Sequence, residues 1–166
     1  MKKLEINNLP PIFNEDCEIL ILGSFPSTKS RQAEFYYSNP ANKFWQILSV
    51  VFDESQPNSK DEKLDFLKRH KIALYDAATS CDIKGSLDSH MSNVSPTDLS
   101  QIFSKANIKR VFTNGKKADG LCRRFHLDFI TQKCGCEPVC LLSTSAANAR
   151  FTMDKKIENW KQILVR

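Results

Sequence analysis

Four short apolar runs, each bounded by turn-forming residues, punctuate the chain: Glu18–Leu22 (EILIL), Ile72–Tyr75 (IALY), Arg110–Thr113 (RVFT) and Pro138–Leu142 (PVCLL). They are too short for helices and mostly rich in branched residues, which predicts buried strands. Between them the apolar positions recur every three or four residues. That spacing predicts helices over Asn42–Phe52, Asp61–Arg69, Thr97–Lys105, Lys116–Phe125 and Asp154–Leu164. Asp61–Arg69 opens with acids and closes with bases, the charge order a helix dipole favours. In the last segment Ile157, Trp160 and Leu164 form one stripe, read as core packing. The polar stretch Asp53–Asp61 reads as a surface loop. Strands alternating with helices imply an α/β fold, a three-layer α/β/α sandwich around a central parallel four-stranded sheet. Such sheets bind ligands beyond the carboxyl ends of their strands, so a functional motif should follow a strand.

At 166 residues, 41% of them hydrophobic, the chain fits a single domain spanning 1–166 with one core. The net charge of +5, from 24 Lys and Arg against 19 Asp and Glu, permits a phosphate-binding face without requiring one. No apolar run is long enough to span a bilayer, and the first residues carry no secretory signal, so a cytoplasmic location is expected. The six cysteines are then expected as thiols. Cys134, Cys136 and Cys140 lie close in sequence. They form either part of a metal site, with Cys122 or His126 folding near, or small, partly buried thiols around a turn and strand. The second reading is preferred, and neither metal nor other cofactor is expected.

Two segments follow predicted strands and are unusual as connectors. The first is Gly23-Ser24-Phe25-Pro26-Ser27, which leads into Phe35-Tyr36-Tyr37-Ser38-Asn39-Pro40-Ala41-Asn42-Lys43-Phe44-Trp45. Gly23 and Pro26 shape a tight turn, and small Ser24 and Ser27 expose backbone N–H groups. The aromatic cluster Phe35, Tyr36 and Tyr37 stands in a polar setting where a ring could stack on a base. Asn42 is either a helix cap or an amide that orients a water. Phe44 and Trp45 read as core. The second segment is Ser143-Thr144-Ser145-Ala146-Ala147-Asn148-Ala149-Arg150, either a binding loop or an ordinary capping turn.

The string from Leu20 to Trp45 resembles the first active-site motif of the uracil-DNA glycosylase superfamily. It is most similar to the hypoxanthine-DNA (deoxyinosine) glycosylase branch, where G-S-F-P-S is followed by F-Y-Y-x-x-P-x-N-x-F-W. Ser143–Asn148 matches that branch's S-T-S-P-A-N except for Ala146 in place of proline. Gly85-Ser86-Leu87-Asp88-Ser89 is also similar to a stretch of the branch. The resemblance runs from about Pro10 to the end of the chain. Uracil-excising relatives place Asp or Asn two residues after the first glycine of the motif; here that position is Phe25. In the deoxyinosine branch a later Asn takes the catalytic part, and Asn42 occupies its place.

The resemblance implies an enzyme, acting as a monomer, that flips a deaminated base out of DNA and hydrolyses its N-glycosidic bond. Extrusion costs roughly a few kcal/mol. Gly23, Ser24, Phe25, Pro26, Ser27 and Tyr37 would form the base pocket, with Phe25 or Tyr37 stacked on the base. Backbone N–H groups and side chains of Ser143, Thr144, Ser145, Ala147 and Asn148 would hold the nucleotide and its phosphate. Lys29, Arg31, Lys43 and Arg150 are each either phosphate contacts or solvated charges. Asn42 would position water and orient the base. Asp88 would brace the pocket or cap a turn, and His90 reads as a surface residue before a DNA contact. The alternatives are a uracil- or mismatch-specific glycosylase, a catalytically inactive DNA-binding member of the same fold and, more distantly, a small-molecule hydrolase.

Overall fold

The computed structural model describes residues 3–83 and 91–165. In chain order the elements are β1 (Lys3–Ile6), β2 (Ile19–Gly23), α1 (Thr28–Ala33), α2 (Phe44–Val51), α3 (Lys60–Arg69), β3 (Ile72–Asp76), β4 (Ala78–Ile83), β5 (Met91–Pro96), α4 (Ser100–Phe103), β6 (Arg110–Asn114), α5 (Lys116–Cys134), β7 (Val139–Leu141) and α6 (Met153–Trp160). A 3-10 turn over Lys161–Leu164 follows. The four predicted strands are all present and form one parallel sheet in the order β3-β2-β6-β7.

Leu20, Ile21 and Leu22 are each 0% exposed, and every residue of β3 is buried, so both faces of the sheet are covered. The crossovers β2→β3 and β6→β7 step in opposite directions along the sheet. With right-handed connections, their helices lie on opposite faces. α5 packs on β6, β7 and β2, whereas α6 packs against α2. The result is the expected α/β/α sandwich. Its strand order reverses between β2 and β6, and a crevice opens there at the carboxyl ends.

Several expectations change in detail. α5 runs nine residues past the predicted end, and α4 is a single turn rather than nine residues. α1 was not expected, because TKSRQA has no apolar periodicity; Ser27 caps it by accepting from the Ser30 N–H. A second sheet was also not expected: antiparallel, ordered β1-β4-β5. Its strands are short and polar (ATSCDI, MSNVSP), without the alternation that marks a half-buried strand. Leu164, placed on the core stripe with Trp160, is 46% exposed, while Trp160 is fully buried. Gly85–Ser89, with Asp88, and His90 lie outside the described residues.

Candidate active site

The four strands of the parallel sheet lead at their carboxyl ends to one cavity of about 520 Å3. β2 leads to Ser24, Phe25, Pro26 and Ser27, β3 ends at Asp76, β6 ends at Asn114, and β7 leads into Ser143–Ala147. Tyr36, Tyr37, Asn39 and Asn42, from the connection between α1 and α2, complete much of the wall. The two loops singled out from the sequence therefore face each other across one crevice. Its volume lies within the about 300–1,000 Å3 typical of small-molecule sites.

The loops are joined directly. Thr144, 0% exposed, donates its hydroxyl to Asn42 Oδ1 at 2.7 Å, and its carbonyl accepts the Lys43 N–H at 3.0 Å. Asn42 Oδ1 also accepts the Phe44 N–H at 3.0 Å, closing the turn that leads into α2, whose N-cap is Lys43. Phe44 and Thr144 take the oxygen. The amide nitrogen has no hydrogen-bond partner among the described residues, and Asn42 lines the cavity. The expectation that this amide would both donate to and accept from a water is corrected accordingly.

The first loop is rigidly backed. The Gly23 and Ser24 carbonyls accept from Ala77 and Ala78 at 2.8 and 3.1 Å, lacing the loop to the end of β3. Gly23 must be glycine for a steric reason: a Cβ there would lie 2.5 Å from Asp76 Oδ1 and 3.2 Å from the Tyr37 hydroxyl. Asp76, 3% exposed, is bracketed by Asn7 Nδ2 at 3.2 Å, and the same Asn7 nitrogen also bonds the Ala78 carbonyl at 3.1 Å. The residue that follows β1 thereby orients a carboxylate of the cavity floor.

Of the aromatic cluster, Phe35 and Tyr36 are core residues rather than open platforms. Phe35 stacks on Trp45 with centroids 6.2 Å apart, and Tyr36 donates its hydroxyl to the Pro10 carbonyl at 2.9 Å. Tyr37 stacks on Phe44 at 3.8 Å, so one ring face is already covered while the ring lines the cavity. Its hydroxyl is buried without a well-formed hydrogen bond. Burial, and next the charge of Asp76, push that phenol well above its ordinary range; the nearby Asn114 amide offsets only part of this. It remains neutral at any physiological pH. Phe25 packs on Ala77, Ala78, Cys81 and Leu121 while contributing to the lining.

The serine-rich loop is held in place by its own turns. Ser143 Oγ accepts the Ser145 N–H, and Ser145 Oγ accepts the Ala147 N–H, both at 3.2 Å. The Asn148 N–H bonds the Ser145 carbonyl, and its side-chain amide bonds that of Ser143. From Thr144 to Asn148, only the Ala146 N–H lacks an internal acceptor among the described residues. The Ser143 N–H has no acceptor among the described residues either, so within Ser143–Asn148 the expected phosphate grip by backbone reduces to the N–H groups of Ser143 and Ala146. Beneath the loop, Trp160 and Asn159 of α6 clamp the Leu142 carbonyl and N–H, each at 2.7 Å. Gly115 (φ 96°) lets the β6–α5 turn pass close, since a Cβ would meet Ser143 Cβ at 2.9 Å.

The expected cations divide into two kinds. Arg31 is paired with Glu5, covers the Phe25 ring at 5.3 Å and bonds Thr28, so it latches β1 to α1 instead of standing free for phosphate. Lys29, Lys43 and Arg150 are exposed and form no ion pair among the described residues. Cys134, Cys136 and Cys140 contact three different carbonyls, those of Ile108, Lys109 and Leu141. No three potential metal ligands converge among the described residues.

Asp76, Asn114 and Asn7 were not singled out in the sequence. Asn114 precedes a glycine, a pair that signals a turn and conceals a ligand-facing amide.

Comparison with known proteins agrees with this geometry. No family model matches the chain. A hypoxanthine DNA glycosylase from Methanosarcina barkeri is 33% identical over the full length of both chains. A second protein of that name, from Methanosarcina acetivorans, is 31% identical over 93% of this chain and 94% of its own. The chain belongs to the hypoxanthine DNA glycosylase family. A solution NMR structure from Methanosarcina acetivorans, assigned provisionally as a uracil DNA glycosylase, superposes with a TM-score of 0.78 at 28% identity, covering 98% of this chain and 100% of that one. Membership assigns the crevice to a uracil-DNA glycosylase-type fold. Among the described residues no helix of this family member is long and apolar enough to cross a membrane.

Proposed function

We propose that the chain is a monofunctional, monomeric DNA glycosylase of the cytoplasm that excises hypoxanthine from DNA and leaves an abasic site. The single observation that carries this reading is the joining of Asn42 to Thr144 across one cavity at the carboxyl ends of the sheet. The nucleotide enters between the two loops. Its phosphates are held from outside by Lys43, Arg150, Lys29 and the N–H groups of Ser143 and Ala146, and its base slides past Ala147 toward Gly23–Ser27 and the exposed side of Tyr37. Asp76 supplies an acceptor beside Gly23. That suits the lactam N–H of hypoxanthine, at a position where adenine carries a lone pair.

Cleavage of the N-glycosidic bond passes through an electron-poor sugar, which a weak nucleophile captures. The described lining contains no lysine, so water rather than an amine is the attacking group, and hydrolysis stops at the abasic site. Most of the acceleration then comes from positioning and from donors aimed at the departing base.

The test is incubation with duplex oligonucleotides carrying hypoxanthine, xanthine or uracil, followed by alkali cleavage of any abasic product. Hypoxanthine is expected to be released fastest. Asn42→Ala should keep its fold and DNA binding, with a melting temperature lowered by the loss of the Phe44 and Thr144 contacts, while losing about 10²–10³ in excision rate. Full activity of that variant, or excision of uracil alone, sinks the reading.

A further inference from the structure

Donors and acceptors around Asn42 form a chain with no freedom of assignment. The Thr144 N–H can only donate, so the Asn114 atom it meets at 3.0 Å is the side-chain oxygen. The other Asn114 atom is then the NH2 group, which donates to Thr144 Oγ1 at 2.9 Å. With that lone pair engaged, the Thr144 hydroxyl directs its proton to Asn42 at 2.7 Å. From the other side the Phe44 N–H, again only a donor, meets the same Asn42 atom at 3.0 Å. Two obligate backbone donors therefore fix both ends. The Asn42 oxygen is saturated, and its NH2 group is the part left to the cavity it lines.

We infer that Asn42 acts as a hydrogen-bond donor to the leaving base, and that Thr144, itself locked by Asn114, is the positioning residue that holds the amide in this sense. The inference rests on the reading of the cavity as the base site. In the reaction the bond from the sugar C1′ to the base nitrogen breaks, and its electron pair passes into the ring. There the Asn42 NH2 group stabilises the charge at a ring acceptor without giving up a proton. Water adds to C1′ and releases its proton to solvent, and the departing base takes one from solvent. No group needs to accept a proton from the water, because the sugar cation is a strong electrophile.

The two isosteric sides of this claim are separable. Asn42→Asp keeps an oxygen for Phe44 and Thr144 but replaces the NH2 group with an acceptor. In single-turnover excision of hypoxanthine, with rates taken relative to wild type at each pH, Asn42→Asp at pH 8 should be as slow as Asn42→Ala, about 10²–10³ down. It should recover as pH falls and the carboxyl group becomes a donor. Thr144→Val should lose about tenfold and Thr144→Ser should restore the rate. Thr144→Val added to Asn42→Ala should slow the reaction no further, since Thr144 acts through Asn42. Asn42→Asp that matches wild type at pH 8, or gains activity as pH rises, overturns the inference and makes the residue an acceptor for water. A wild-type rate for Asn42→Ala instead overturns the underlying reading of Asn42 as catalytic.

Discussion

The two ends of the parallel sheet each open into a cavity, and they are built on opposite principles. At the carboxyl end about 520 Å3 is lined by amides, hydroxyls and backbone, with Asp76 the one charged side chain in the described lining. At the amino end about 400 Å3 is lined by Glu18, Arg69, Lys71, Lys109 and Arg110, with Phe52 and the Ile163–Val165 segment. There the lining cations outnumber the carboxylates, yet three of the four are ion-paired at short range and Arg110 bonds the Val165 carbonyl. Glu18 lies 3.7 Å from Lys71 and 3.2 Å from Lys109, and Glu54 pairs with both Arg69 and His70. Charge that is neutralised locally attracts little from solution and is screened further by salt. A crevice of amides and hydroxyls held in place by their neighbours, by contrast, keeps its dipoles aimed when a base displaces water. Cation count alone would favour the amino end as the DNA site. Geometry favours the other end.

The largest effect that could break this contrast comes from the floor of the carboxyl-end cavity. Gly23→Ala places a Cβ 2.5 Å from Oδ1 of the buried Asp76 carboxylate, whose other oxygen is held by Asn7. Overpacking there should cost about 1–3 kcal/mol. Because the shift propagates to the base-facing wall, excision should fall by about 10². A calorimetric melt with a gel assay checks both, and an unperturbed rate would show that the floor does not contact the base. A smaller effect is expected at the rim. Lys43→Ala and Arg150→Ala should each flatten the log–log salt dependence of DNA binding by about 0.9. The same change at Lys71 or Lys109 should leave the slope unaltered. Equal slopes for all four would erase the distinction between the ends.

The smallest effect is in acid. His126 hydrogen-bonds the Ala77 carbonyl at 3.1 Å beside the cavity floor, and burial holds its pKa below the ordinary 6.5. The unfolded chain takes up the proton first, so this contribution to stability is complete above about pH 6.5 and is lost as the pH falls below it. His126→Gln should flatten the melting temperature between pH 5 and pH 7, as followed by circular dichroism. An unchanged slope would mean that other groups set the acid sensitivity.

The central sheet was legible because strands buried on both faces carry continuous apolar runs, which little else in the chain imitates. The second sheet was not, because β4 and β5 mix Ser, Asp, Asn and Thr with apolar residues that do not alternate, and what they bury is the small cluster of Ala78, Cys81 and Val94 with Phe25 and Leu121. For the site, the motif residues Gly23–Ser27, Asn42 and Ser143–Asn148 were legible, and all of them come to the crevice or its rim. Their division of labour was not. Whether Asn42 offers its oxygen or its nitrogen depends on Phe44 from its own loop and on Thr144 from 102 positions away. Asp76 and Asn114 sit at strand ends, where one residue of sequence context cannot separate a ligand from a cap. Arg31 was taken as a free cation because its partner Glu5 lies on β1, the strand that the sequence pattern did not reveal.

β1 and the residue that follows it also constrain the order in which the molecule can be assembled. Asn7 and the carboxylate it steers are 69 positions apart, and β1 has no strand to join until β4 has been synthesised. Long-range pairings of this kind close slowly. The earliest-made segment of the described chain thus waits for β4 but not for β6 or β7, so the floor of the reaction chamber can be set before the main sheet is complete.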